Sequence, residues 1–109
     1  MKNKIVVAIE ILFEKAMGPN PVARQAIELF HCVERTAGKA VISGTGRELY
    51  PTLNQLIGTR FLNSVEELRQ ALHEATEELK LANVEWDEYS PGHRKRHVFR
   101  LTRSQAIAI

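Results

Sequence analysis

Between Val84 and Thr102 the chain alternates apolar and polar residues on either side of a Pro91-Gly92 turn, and no other stretch limits the fold as tightly. Side chains alternate faces along a strand, so Val84 and Trp86 share one face, as do Phe99 and Leu101. The spacing predicts a hairpin from Val84 to Thr102 whose apolar face needs a cover. Its first strand is acidic, whereas Arg96 and Arg100 line the polar face of the second strand and His93, Arg94 and Lys95 occupy the turn. If Trp86 lies opposite Phe99, Glu85 faces Arg100 and part of that positive charge is neutralised within the hairpin.

Helical spacing dominates upstream. Ile5, Ala8, Ile9, Leu12, Phe13 and Ala16 recur every three or four residues, which predicts a helix from Asn3 to Met17, with a strand as the alternative at Ile5-Val6-Val7. Gly18-Pro19-Asn20-Pro21 stops it. Asn20 can cap a second helix from Pro21 to Thr36, with Pro21 in its first turn, Cys32 as core filling, and an end at Gly38. Ala40–Thr45 reads as a short strand or extended connection. Gly44-Thr45-Gly46-Arg47 reads as a loop, or as a small anion nest at a helix start, and it lacks the remaining residues of a phosphate-binding loop. A short helix is expected from Thr52 to Gly58, then a long one from Asn63 or Ser64 to Ala82. Glu66 and Glu67 in that first turn suit the helix dipole. The stripe Val65, Leu68, Leu72, Ala75, Leu79 and Ala82 is too short for an independent coiled coil, so it faces the core.

At 109 residues, 44% hydrophobic and 26% charged, the chain fits one domain, residues 1–109, able to bury a core without disulfides or metal. The apolar start is interrupted by Glu10 and Glu14 and lacks a small-residue cleavage site, so it reads as part of the folded domain rather than a signal peptide. No apolar run reaches the roughly 20 residues a membrane helix needs. A single cysteine and no such segment point to the cytoplasm. The net charge of +2 is unevenly spread. Residues 1–60 hold eight Lys/Arg against five Asp/Glu, residues 61–90 two against eight, and residues 91–109 five against none. A basic end of this kind suits an acidic partner, with the acidic segment limiting non-specific contact.

Catalytic and metal chemistry find little support. His31, His73, His93 and His97 lie in different elements, with no cysteine or carboxylate at ligand spacing. His31 and Cys32, adjacent on a helix, diverge by about 100° and cannot pair as nucleophile and base by themselves. The carboxylates Glu66, Glu67, Glu74, Glu77 and Glu78 read as a solvated helix face. No enzyme activity, metal or cofactor is expected.

The run Leu79-Lys-Leu-Ala-Asn-Val-Glu-Trp86, followed by Arg96-His-Val-Phe-Arg-Leu-Thr102, resembles the end of the winged helix-turn-helix families of bacterial regulators. The resemblance spans residues 47–103 and implies a mainly α fold closed by a C-terminal β-hairpin, the wing. Residues 1–38 then form N-terminal helices suited to dimerisation, with Ile5, Val6, Ile9, Leu12, Phe13 and Met17 offered to a partner chain. The implied partner is double-stranded DNA, bound by a homodimer. Arg94, Lys95 and Arg96 would meet phosphates or the minor groove, flanked by Arg100 and Arg103. Arg60, Asn63, Ser64, Arg69 and Gln70 would lie near the major groove, with His73 also near the helix start. Two features depart from the family pattern: the helix is longer than the role requires, and it is acidic beyond its start. The alternative is a protein-interaction module of the same shape, serving as adaptor, inhibitor or assembly factor.

Overall fold

The structure is a computed structural model that describes residues 3–17, 32–36, 39–90 and 97–104. Helix α1 spans Lys4–Met17. Asn3 caps it, its Oδ1 accepting a hydrogen bond from the Ile5 amide at 3.1 Å while its carbonyl accepts the first helical bond from Val7. Strands β1 (Cys32–Thr36) and β2 (Lys39–Thr45) follow. Helix α2 covers Gly46–Ile57, α3 Val65–Glu74 and α4 Thr76–Leu81, before β3 (Val84–Tyr89) and β4 (Val98–Ser104). All pairings are antiparallel and the sheet order is β1-β2-β4-β3, so β4, the last strand among the described residues, is internal to the sheet.

One sheet face is covered by helices. Ala40 and Ile42 of β2, Val84 of β3, and Phe99 and Leu101 of β4 are buried with Leu49, Leu53, Leu68, Leu72 and Leu79 from α2 to α4. Gly46 starts α2 where the layers come closest: a Cβ there would sit 2.6 Å from Val65 Cγ1 and 3.0 Å from the Phe99 ring. The expected hairpin is present, and its register is shifted by two residues. Trp86 lies opposite Leu101, not Phe99, and Arg100 faces Asp87, not Glu85. A two-residue shift keeps every side chain on its face, so Val84, Phe99 and Leu101 are buried and Trp86, on the same face, is partly buried.

Several expectations are corrected. The fold is mixed α/β rather than mainly α, because β1 and β2 extend the hairpin into a four-stranded sheet. Residues 32–36, expected to end a helix, form β1 through ladder pairing with β2, and Cys32 starts a strand. The rest of that expected helix lies outside the described residues. Helix α2 begins at Gly46, six residues before Thr52, and runs through Pro51. Leu49 and Leu53 fall on its buried side, and Thr52 Oγ1 donates to the Glu48 carbonyl at 2.8 Å. Gly58 ends it in the left-handed conformation, φ 82°, where glycine carries no Cβ penalty. The long helix is interrupted at Ala75 (φ −95°, ψ 3°). Thr76 Oγ1 donates to the Leu72 carbonyl at 2.8 Å and accepts from Trp86 Nε1 at 3.1 Å, and threonine back-bonding of this kind bends helices. Of the α1 row expected to meet a partner chain, Ile5, Val6, Ile9, Leu12 and Phe13 are each at most 2% exposed within one chain and so are not offered to a partner, while the Met17 side chain lies outside the described ones.

Two substitutions test this packing by chemical denaturation. Phe99→Ala is expected to cost about 3–5 kcal/mol, as for other fully buried aromatics. Gly46→Ala is expected to cost about 1–3 kcal/mol by overpacking, although it raises helix propensity.

Candidate nucleic-acid interface

The side chains aimed at the helices from β3 are Val84, Trp86 and Glu88, and the last is a carboxylate on an otherwise apolar row. It is met by α3. Arg69 grips it in a two-pronged contact, Nε to Oε1 at 2.7 Å and Nη2 to Oε2 at 2.8 Å, while Nη1 donates to Glu66 one helical turn earlier. From the residue that precedes β4, His97 Nδ1 lies 2.7 Å from Glu88 Oε2. One carboxylate therefore joins α3, the end of β3 and the residue just before β4. Planar two-pronged pairing of this type fixes orientation as well as distance. The Arg69 hydrogen bonds hold the Glu88 carboxyl below the usual carboxylate range against the opposing effect of burial. Both carboxylates in turn hold Arg69 firmly charged, Glu88 foremost. One step inward, Trp86 is edge-on to His73, with centroids 4.8 Å apart, and stacks near Phe99.

The start of α3 is set by local bonds. Ser64 Oγ accepts from the Glu67 amide at 3.2 Å, and Glu67 Oε2 accepts from the Asn63 amide at 2.5 Å, a reciprocal cap displaced by one residue. Asn54 of α2 shapes the turn before it. Its Oδ1 accepts from the Phe61 and Leu62 amides, and its Nδ2 donates to the Leu62 carbonyl at 2.7 Å.

The residues expected to meet DNA are thus divided. Arg60 and Asn63 are exposed in the α2–α3 turn, and Gln70 is exposed on α3, where its Nε2 lies 3.4 Å from Glu74. Ser64 is occupied as a cap and Arg69 as the partner of Glu88 and Glu66. Arg100 lies on the opposite sheet face, 2.6 Å from Asp87 and above the Tyr89 ring. Arg103 is half-buried at the far end of β4, opposite Ala40 and Val84 in register. Arg94, Lys95 and Arg96 lie outside the described residues, as does His93. Glu88, His97 and Asp87 were missed by sequence reasoning, although an acidic residue in register with Val84 and Trp86 signals a need for a cation. Arg47 was also outside the expected set. It is exposed at the start of α2 in an open groove of about 510 Å³ that Thr45, Val65, Arg69 and His97 also line.

No family model, curated protein or solved structure matches this chain. Among the described residues, no group of three or more His, Cys, Asp or Glu side chains could hold a metal, and no helix is long and apolar enough to cross a membrane.

The lowered pKa of Glu88 sets a direction for acid stability. Its contribution is fully present above the ordinary value of 4.5 and is lost as pH falls through the lower folded value. Arg69→Met removes the depression and leaves the desolvation, so the acid loss of Trp86 fluorescence signal is expected to begin at higher pH than in wild type. An unchanged acid limb would contradict this.

Proposed function

We propose that this chain is a DNA-binding domain, a small transcriptional regulator of winged-helix type, in which the hairpin makes the main contact. The observation that carries the reading is the chain order around the sheet. Helices α2 and α3 meet in an ordered turn, the hairpin follows after the short α4, and its returning strand is stitched between β3 and β2. That arrangement places the strand that follows the basic run inside the sheet instead of at its edge.

On this reading the run His93-Arg94-Lys95-Arg96 supplies the charge that meets the phosphates. Arg60 and Arg47 add cations at the starts of the two helices, and Asn63 and Gln70 offer polar groups to base edges. Arg69 is withdrawn from that role by Glu88 and Glu66, and Arg100 by Asp87. The contact is then chiefly with the backbone, with modest sequence discrimination. Two half-sites read by two copies remain the expected mode, assembled through a surface other than the apolar row of α1.

A second reading is favoured by a separate observation. The solvent side of α3 and α4 exposes Glu66, Glu67, Glu74, Glu77 and Glu78, against which Lys80, 3.8 Å from Glu77, is the only exposed lysine or arginine on these helices. Such a face repels phosphates and suits a protein partner, which would make the chain an adaptor or inhibitor with a winged-helix-like shape.

Electrophoretic titration on random-sequence duplex at several salt concentrations separates the two. DNA binding is expected to weaken steeply with salt, and the triple variant Arg94→Ala/Lys95→Ala/Arg96→Ala is expected to bind all sequences less well, with a log–log slope smaller by up to about three. Gln70→Ala is expected to leave that slope unchanged and erode preference between sites. A wild type that shows no salt-dependent binding passes the argument to the protein-partner reading.

A further inference from the structure

We infer that Glu88 is a positioning residue that sets the hairpin and the start of α3 at one fixed relation, so that both meet the same stretch of nucleic acid. The inference rests on the DNA-binding reading and adds a role for an acidic residue within a basic contact.

Three elements converge on this carboxylate. Arg69 of α3 occupies both oxygens at 2.7 and 2.8 Å, and His97 reaches Oε2 at 2.7 Å from the chain entering β4. Only 15% of the Glu88 side chain is exposed, against 51% for Asp87 on the opposite face of the same strand. The two acids are neighbours in sequence and carry the same charge, but only Glu88 touches α3. On the helix side of the hairpin Leu101 and Phe99 are buried, and Glu88, opposite Phe99 in register, is the last helix-facing pair position before Tyr89 and Val98, which lie on the other face. At that level Phe99 packs into the core from β4, and the Glu88 contacts add the directed polar tie from β3 to α3. An apolar contact could slide, whereas a planar two-pronged ion pair holds both distance and angle.

Electrostatics and positioning predict opposite signs for the same substitution. If Glu88 acted only as a charge, Glu88→Gln would remove a carboxylate beside the binding surface and tighten DNA binding. If it positions the hairpin, the variant binds more weakly despite the lost negative charge. Asp87→Asn is the control: it removes an equal charge, frees Arg100, and is expected to tighten binding.

The experiment measures amide hydrogen exchange of the DNA-free protein together with duplex binding by Glu88→Gln, Asp87→Asn and Arg69→Lys. The swap Arg69→Glu/Glu88→Arg tests rescue. Glu88→Gln is expected to speed exchange at the turn ends of β3 and β4 by about tenfold, to leave Val84 and Arg103 unchanged, and to weaken binding by about fivefold or more, in line with loss of a charge-assisted contact at a locally opening end. Arg69→Lys, which keeps the charge but not the planar fork, should fall between it and wild type, and the swap should recover part of the loss. Unchanged exchange, with wild-type DNA binding intact, overturns this inference alone. Tightening of Glu88→Gln to match Asp87→Asn also overturns it, since the carboxylate would then act only as charge. A wild type that does not bind duplex DNA overturns the underlying reading, and this role with it.

Discussion

Phe99 and Leu101, the buried row of β4, are the contact on which the other elements depend. Their strand is internal to the sheet, paired with β2 on one side and β3 on the other, while their side chains enter the core that α1, α2, α3 and α4 also line. The Phe99 ring is near enough to Gly46 to require the absence of a side chain there. Dense interiors transmit such demands, because volume added at one position must displace a neighbour. The start of α2, the start of α3 and the root of the hairpin are therefore set together, although Gly46 and Phe99 lie 53 positions apart in the chain.

Polar contacts then define what apolar packing leaves loose. Trp86 packs against the core and spends its indole N–H on Thr76, whose hydroxyl returns to the Leu72 carbonyl. The strand and the helix bend fix one another through that hydroxyl. Glu88 with Arg69 does the same one step nearer the turn. A half-buried ion pair adds little net stability, because taking charges out of water offsets most of their attraction. Its effect is geometric. The wrong register or a rotated helix would leave a carboxylate facing the core without a cation, and that cost excludes the alternatives.

The hairpin was legible in the sequence because its alternation has a period of two on either side of Pro91-Gly92. Its register was not, since moving the pairing by two residues preserves both faces and leaves the pattern unaltered. The apolar side of α1 was legible, but its destination was read as a partner chain. Amphipathic spacing reports that a face is buried and not by what. Residues 32–36 were misread because apolar spacing compatible with a helix runs up to them, while the interaction that makes them a strand is pairing with residues 39–43. The candidate site was the least legible part. Arg69 looked like a free cation on an acidic helix, and its partner lies 19 residues away on a strand. No local pattern encodes that pairing; only the fold brings the two together.

On the proposed reading, this pairing also determines how the molecule can approach a duplex. With Arg69 neutralised, the exposed side of α3 is negative from Glu66 to Glu74, and α4 continues with Glu77 and Glu78. Phosphates within a Debye length, about 8 Å at physiological salt, would repel a helix laid along the groove. The cations lie elsewhere: Arg60 before α3, Arg47 at the start of α2, and the arginines and lysine in the hairpin sequence. Attraction at the hairpin and helix starts, combined with repulsion along the rest of α3 and α4, favours a tilted approach in which the first turn of α3 comes nearest the bases. Gln70 sits at the limit of that reach, hydrogen-bonded to Glu74, which belongs to the repelled part. Base discrimination would then be confined to one helical turn, while the hairpin supplies the affinity.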